Sequence, residues 1–505
     1  MGVIKSQSIY STIYSYIGVV LGFVTSALIM PKILLAEQIG FIKLIVAITG
    51  VFASIFSFGI GQLLFRSFPQ FENDLYKRRR LLGLSLKVAL IGSLVAVPLF
   101  FLIASDAFNF SEITEGVNKN TQLLVLIFFT IVARLFYNSL FGYVRMMNNV
   151  VIDAFIQNIY HKGGILILLI LFYLKVIDFQ SFIYAYLILY LFFPILISLY
   201  YWLKKDAVGV GQIFQAPDKT KEGFTKTENK EFLRLLFFGM ITTVGGSLYL
   251  YLDTLMVNYY LGEAEVGIYG TMFLFGVIVI VPARSLKSIS VSVLSRAFKE
   301  NNMQSVEEIY KKSSITLLII GGYIFMGVWC NMYSVFGYLP EEFQLGYYVV
   351  LCIGIGQLFD MLTGVNNELI AASPHYKLNT YFTIISIVIG IAANILFIPN
   401  YGIDGAGYAT LLSIAFVNLV RLIAVFKLYR LHPFSSQTIK IICIITIVTL
   451  VVQYIPNLTN YLVNLLFKGS IITLLYLPLV YFLKLSGDIN DMILGVFNLI
   501  LRRKS

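Results

Sequence analysis

The sequence predicts an all-α integral membrane protein of about fourteen transmembrane helices, arranged as two parallel, pseudo-symmetric six-helix lobes followed by two C-terminal helices. Three observations predict it. Of the 505 residues, 58% are hydrophobic and only 12% charged. The mean hydropathy is +0.84, far above that of water-soluble domains. Apolar runs of roughly 20 residues, the length that crosses about 30 Å of hydrocarbon, follow one another nearly end to end.

The first run, about 9–35, is too long for the apolar region of a secretory signal and lacks a small-residue cleavage pattern, so it reads as helix one. The opening Met1-Gly2-Val3-Ile4-Lys5-Ser6 fits an N-myristoylation pattern, but a helix entering the membrane directly afterwards makes a chance match the better reading. Charged or turn-rich breaks then separate runs at about 39–65, 81–104, 121–145, 151–174 and 179–203, which complete a first set of six. Residues 204–230 are polar, mix Lys with Glu and contain Pro217, and read as a cytoplasmic linker. A second set follows at about 233–260, 266–294, 313–333, 345–371, 377–398 and 404–429, and a final pair at about 438–455 and 465–483. The domains are therefore an N-lobe at 1–203, the linker at 204–230, a C-lobe at 231–430, and the last two helices with a cytoplasmic tail at 431–505. Gly245-Gly246 and Pro282 are expected bends, and Gly18 and Gly22 are expected points of close helix contact.

The formal net charge of +11 reflects topology rather than nucleic acid, because the cations lie between the apolar runs. With the N terminus inside, the inner segments receive Arg66, Lys77-Arg78-Arg79-Arg80, Arg145, Lys204, Lys205, Lys219, Lys221, Arg296, Lys299, Lys311, Lys312, Lys427, Arg430 and the tail. The outer ones hold few cations, such as Lys119, beside acids such as Glu112 and Glu115. This bias places both termini in the cytoplasm. Cys330, Cys352 and Cys443 are widely separated, and His161, His375 and His432 are scattered singly, so neither a disulfide framework nor a metal site is expected.

A weak internal repeat supports two parallel halves. Ile39-Gly40-Phe41 after Glu37 echoes Val266-Gly267-Ile268-Tyr269 after Glu265, Tyr76-Lys77-Arg78 echoes Tyr310-Lys311-Lys312, and Ile177-Asp178 echoes Ile403-Asp404. The offset stays at about 226–234 residues in all three. Six helices per half return the chain to its starting side, which implies a pseudo-twofold axis along the membrane normal and a functional cavity between the halves.

Three stretches carry a family resemblance: Met30-Pro31 followed by Glu37-Gln38-Ile39-Gly40-Phe41; Tyr251-Leu252-Asp253-Thr254-Leu255-Met256 through Leu261-Gly262 into Glu265-Val266-Gly267-Ile268-Tyr269; and Pro399-Asn400-Tyr401-Gly402-Ile403-Asp404-Gly405-Ala406-Gly407-Tyr408-Ala409-Thr410. In these the chain resembles the polysaccharide-transporter, Wzx-like oligosaccharide and O-antigen flippase branch of the multidrug/oligosaccharidyl-lipid/polysaccharide exporter superfamily. The resemblance implies a transporter, not an enzyme, that passes an undecaprenyl-diphosphate-linked oligosaccharide from the cytoplasmic to the outer leaflet by alternating access. It also implies membrane lipids and polysaccharide polymerase machinery as partners, no nucleic acid and no cofactor beyond a coupling proton or Na⁺. The alternatives are a peptidoglycan-precursor (lipid II) flippase, a multidrug or cation antiporter, and a membrane polymerase or glycosyltransferase. Helix one carries no acid, unlike many cation-coupled extruders of the superfamily, and the outer connections are too short for a catalytic domain.

Ionisable groups at membrane depth cost about 2.5–3.5 kcal/mol each and usually face a wet interior. Arg134 and Lys162 lie near mid-helix, Arg284 and Lys287 in the inner half of helix eight, and Arg66 and Arg421 toward the inner ends of helices two and twelve. These six are the expected substrate-binding residues, since a diphosphate needs guanidinium forks and ammonium charges to leave water. Asp253 and Asp360 are the expected ion-coupling residues, or each neutralises a neighbouring cation. The repeat offset sets Asp360 at the position equivalent to Arg134, which permits a pairing that changes between inward-open and outward-open states.

Overall fold

The computed structural model describes residues 2–71, 74–107, 121–146, 151–203 and 224–502. All secondary structure among them is helical. Lipid offers no partner for a backbone N–H or C=O, so a chain this apolar must satisfy those groups within each segment. Among the described residues thirteen helices are long and apolar enough to cross a membrane. One of them, Leu378–Tyr429, is two passes, because Gly402 adopts φ 58° and ψ −135° and breaks the helical path.

The passes are α1 (Tyr10–Ile33), α2 (Ala36–Phe56), α3 (Leu75–Ala107), α4 (Thr121–Met146), α5 (Val151–Tyr173), α6 (Phe179–Leu203) and α7 (Lys226–Tyr260). They continue as α8 (Glu263–Lys299), α9 (Met303–Trp329), α10 (Tyr347–Leu362), α11 (378–401), α12 (403–429), α13 (Ser436–Tyr454) and α14 (Tyr461–Phe482). A further helix, α15 (Gly487–Arg502), follows. It is absent from the expected set because Asp488, Asn490 and Asp491 interrupt its apolar run, so it reads as a tail when only membrane-spanning lengths are sought.

Other departures have local causes. The apolar run expected to be a single second helix ends at Phe56, turns through Phe58 (φ 47°) and Gly59 (φ 72°), and resumes as a short helix Ile60–Ser67. The run at 345–371 divides at Gly364 (φ 64°) into α10 and a short helix Asn366–Ala372. Hydropathy is blind to such turns, since the apolar character continues through them. At Pro282 the α-helical pattern is interrupted: Ile278–Ile280 is 3₁₀, and the α-helix restarts with Pro282 in its first turn. At Gly245-Gly246 it is not, and α7 runs unbroken through both residues. Most of the expected linker, 204–223, lies outside the described residues, as do Glu112, Glu115 and Lys119 of the outer connection and Arg503 and Lys504 of the tail. The linker's last residues already belong to α7, which starts from a capping box: Thr225 Oγ1 accepts from Glu228 N (3.1 Å) and Glu228 Oε2 accepts from Thr225 N (2.6 Å).

By internal packing the chain forms two compact units, Met1–Leu255 and Met256–Ser505. Most of α7 thus packs with α1–α6, through the hydrogen-bonded Ser54 and Ser247 hydroxyls and a Lys77–Glu228 ion pair at 2.9 Å. In the second unit α10 packs on α12, α8 and α9, and the final hairpin docks on α9, where the buried Tyr476 hydroxyl donates to the Ile319 carbonyl at 2.9 Å. Apolar side chains also cover outward faces, such as Leu90, Ile91 and Leu94 on α3 and Leu462, Leu466 and Leu474 on α14. Such rows are the lipid-facing surface of a chain whose solvent is hydrocarbon.

Candidate functional site

In the first unit α1 and α5 each contain a π-helical turn, Val24–Ile29 and Ile156–Tyr160. The extra residue of a π turn rotates the helix face that follows it. α1 packs against the π turn of α5, and the glycines of α1 leave the room: a Cβ at Gly18 would lie 2.2 Å from Asn158, and one at Gly22 3.0 Å from the Lys162 side chain. Into that groove Lys162 extends, donating to the Gly18 carbonyl at 2.8 Å and to Asn158 Oδ1 at 3.2 Å. Both acceptors are neutral, so these bonds orient the ammonium without cancelling its charge.

Arg134, half-buried on α4, donates from Nη1 to the Val46 carbonyl of α2 at 3.3 Å, and its guanidinium lies 4.4 Å over the Tyr190 ring of α6. No carboxylate pairs with it among the described residues. Around it, the His161 ring stands 4.6 Å from Tyr190 and 5.4 Å from Phe193, with its Nε2 buried and lacking a hydrogen-bond partner. Tyr137 donates to Asp153 Oδ1 at 2.5 Å and accepts from Gln157 Nε2 at 3.3 Å. A cation is therefore presented from an aromatic and hydroxyl-rich wall, a surface suited to an anionic group carrying a sugar.

In the second unit Lys287 on α8 and Asp360 on α10 form an ion pair, their side chains 13% and 16% exposed. Asp360 Oδ1 accepts from Asn418 Nδ2 of α12 at 3.2 Å, and Asn418 Oδ1 accepts from Thr363 Oγ1 (3.3 Å) and Asn366 Nδ2 (3.2 Å). The sequence sets Lys287 among the substrate cations and leaves Asp360 as either a coupling residue or the neutraliser of a nearby cation; the structure joins the two in one network. Arg284, one turn before Lys287, is exposed. Arg421 is half-buried one turn beyond Asn418, Asp253 is half-buried on α7, and Arg66 is exposed on the short helix after α2. The six expected cations are thus divided, with Arg134, Lys162 and Arg66 in one unit and Arg284, Lys287 and Arg421 in the other.

Sequence reasoning missed Lys43, half-buried on α2 one turn before the Val46 carbonyl that Arg134 engages, with no partner among the described residues. Its position in the middle of an apolar run was the available signal. The His161 cluster was missed as well, because ring stacking between helices has no sequence spacing. Two of the stretches that carried the family resemblance meet in the second unit, where Tyr269 and Thr410 hydroxyls lie 3.1 Å apart. The glycines of the third stretch shape the α11–α12 break: Gly402 takes positive φ, and a Cβ at Gly405 would fall 2.2 Å from the Phe397 carbonyl oxygen. No group of three or more His, Cys, Asp or Glu able to hold a metal occurs among the described residues.

A family model described as polysaccharide biosynthesis protein matches residues 4–283, more than half of the chain. A second, described as MatE, matches residues 236–396. The probable low-salt glycan biosynthesis flippase Agl15 of Haloferax volcanii is 23% identical over 184 residues. That stretch spans 36% of this chain and only 39% of the relative's length. Among solved structures, the lipid II flippase MurJ in an inward closed conformation superposes with a TM-score of 0.67 at 16% identity, covering 94% of this chain and 99% of that one. An inward-facing multidrug resistance transporter of the MATE family superposes with a TM-score of 0.60 at 15% identity, covering 83% and 94%. At these identities the superpositions show a shared fold.

Proposed function

Because the chain belongs to the polysaccharide biosynthesis protein family, on the polysaccharide-transporter branch of the multidrug/oligosaccharidyl-lipid/polysaccharide exporter superfamily, we propose that it is a flippase for polyprenyl-diphosphate-linked oligosaccharide. The cargo moves from the cytoplasmic to the outer leaflet of the plasma membrane, by alternating access, and feeds surface polysaccharide assembly. The observation that carries this reading is Arg134: a guanidinium within a membrane-spanning helix, set by a carbonyl and an aromatic face and paired with no described carboxylate. A structural arginine at that depth is expected to be neutralised by an acid; one held by neutral groups keeps its charge for an anion that arrives later.

Arg134 and Lys162 take the diphosphate, Arg134 held by the Val46 carbonyl and Lys162 reaching the groove beside Gly18 and Asn158. Tyr137, Gln157 and Asn158 supply hydrogen-bonding groups for the sugar. Arg66, Arg284 and Arg421 guide the headgroup along its path, and Asp253 serves ion coupling. The Lys287–Asp360 pair acts as a switch: a proton or Na⁺ taken up by Asp360 would release Lys287 toward the substrate. Undecaprenyl as the lipid, cytoplasmic termini, a bacterial inner membrane and a polymerase partner belong to this same proposal.

The deciding experiment is translocation in liposomes of purified protein, comparing polyprenyl-diphosphate oligosaccharide with lipid II and with an organic cation. Transport of the oligosaccharide lipid that is lost in Arg134→Ala and Lys162→Ala supports the reading. Transport of lipid II alone, or of the cation alone, replaces it.

A further inference from the structure

The third stretch of the family resemblance, 399–410, forms the α11–α12 break and holds none of the residues given to translocation. Aromatic rings gather there. Tyr401 meets Tyr408 edge-on with centroids 5.7 Å apart, and Phe397 lies 6.2 Å from the first and 6.4 Å from the second. Asp404 and Tyr408 are one turn apart and so share a face of α12. α10 closes the group from the other side. A Cβ at Gly407 would lie 3.2 Å from Val349 Cα and 3.4 Å from Cys352 Cβ, so the two helices are nearly in backbone contact. Tyr348, beside Val349, thereby joins the cluster, and Asp404, Cys352, Tyr348 and Tyr401 all act electrostatically on Tyr408.

Among these rings stands a carboxylate without a counter-charge. No Lys, Arg or His pairs with Asp404 among the described residues. Its Oδ1 is buried and lacks a hydrogen-bond partner. A helix start does not account for it, because an acid there is held by a backbone N–H of the first turn, and Asp404 Oδ1 accepts from none. An interfacial aromatic belt does not account for it either, since a belt needs rings at the membrane surface but no acid among them. Tyr348 and Tyr401 remain 50% and 59% exposed, so the cluster is open to a ligand. Buried polar atoms are almost always satisfied, and a single carboxylate does not assemble a metal site. The chemistry that fits is a donor carrying its own positive charge and carbon substituents, with its N–H directed to Asp404 and its C–H groups against the ring faces.

We propose that Asp404, Tyr348, Tyr401 and Tyr408 form a binding site for an organic ammonium group. In the orientation proposed above, α11 runs outward and α12 returns, so the site lies toward the outer leaflet. Two sources present an ammonium group there: the headgroup of an ethanolamine phospholipid and an amino sugar on released cargo. The site uses no residue of the flippase reading and stands without it.

The test uses the full chain in phosphatidylglycerol nanodiscs, which contain no amine, with ethanolamine as the probe and saturation-transfer NMR as the readout. Wild type is expected to bind, and Asp404→Asn to bind about tenfold or more weakly at the same unfolding temperature. Absence of binding to wild type, or equal affinity in Asp404→Asn, overturns the site. Should that variant fail to fold, Tyr348→Leu on α10 decides in its place: affinity lowered about threefold or more supports the site, and equal affinity overturns it. Two competitors separate the sources. Displacement of ethanolamine by phosphatidylethanolamine added to the nanodiscs supports a lipid headgroup; displacement by glucosamine alone supports an amino sugar. Displacement by neither overturns the assignment to membrane or cargo. Ethanolamine binding in a protein that translocates no lipid-linked sugar would leave this site standing and refute only the flippase reading.

Discussion

Replacing Arg134 by Gln separates a guanidinium kept for substrate from one kept for folding. Its contacts include a 3.3 Å bond to the Val46 carbonyl and the Tyr190 ring. The carbonyl bond is long, and the stacking contributes about 0.5–2 kcal/mol. Against this stands the cost of keeping a charge half-buried without a carboxylate, which the substitution relieves. The net change in stability should therefore fall within about 1 kcal/mol of zero, the range of ordinary substitutions. Binding is different. A hydrogen bond between a charged donor and a phosphate contributes about 1.5–3 kcal/mol, and each 1.4 kcal/mol is about tenfold in affinity, so Arg134→Gln should weaken a polyprenyl-diphosphate analogue by about 10- to 150-fold. Arg134→Lys should fall between, keeping charge but losing the planar fork and its stacking on Tyr190. The assay is calorimetric binding of the analogue to protein in nanodiscs, beside thermal unfolding of the same samples. Unaltered affinity in Arg134→Gln, or a loss of affinity matched by a collapse in unfolding temperature, would refute the reasoning.

The other predictions concern the elements that support this site. Asp360→Asn or Lys287→Met alone should destabilise by about 3–5 kcal/mol by leaving one buried partner unmatched, whereas the double variant should recover much of that loss; additive losses in thermal unfolding would argue against the pair. Gly405→Ala pushes a Cβ to 2.2 Å from the Phe397 carbonyl oxygen and should cost on the order of 2–3 kcal/mol as the α11–α12 break is forced open, visible as reduced folded yield in membranes. Gly18→Leu should displace Asn158 and release Lys162 from the Gly18 carbonyl, raising the rate at which Lys162 is labelled by an amine-reactive probe; an unchanged rate would show that the groove is not what holds it. Tyr476→Phe removes the bond from the final hairpin to Ile319 and should lower stability by about 1 kcal/mol, read as a shift in unfolding temperature.

Spans were the most legible feature, because each requires a sustained apolar run and nothing else. Even the division of Leu378–Tyr429 was visible, through Pro399, Gly402 and Gly405. The turns at Phe58-Gly59 and Gly364 were not, since apolar character continues across them. Gly245-Gly246 shows the opposite error. Glycine permits a bend, but α7 has no proline or inserted side chain to impose one, and it continues unbroken.

The site was legible as residue types and not as partners. Hydropathy alone is enough to single out Arg134, Lys162, Lys287 and Asp360, because an ionisable group inside an apolar run is costly wherever it points. Whether that cost is met by a carboxylate, a carbonyl or an aromatic ring depends on which helices are neighbours, and the linear pattern carries no such information. Lys287 and Asp360 stand 73 positions apart yet form one ion pair, while Arg134 and Lys162 are steered by neutral groups from α2, α6 and α1. By itself the sequence determined that this chain lives in lipid and carries charge there. Only the tertiary structure decided which groups meet those charges, because compensation requires contact within a few ångströms between segments far apart in the chain.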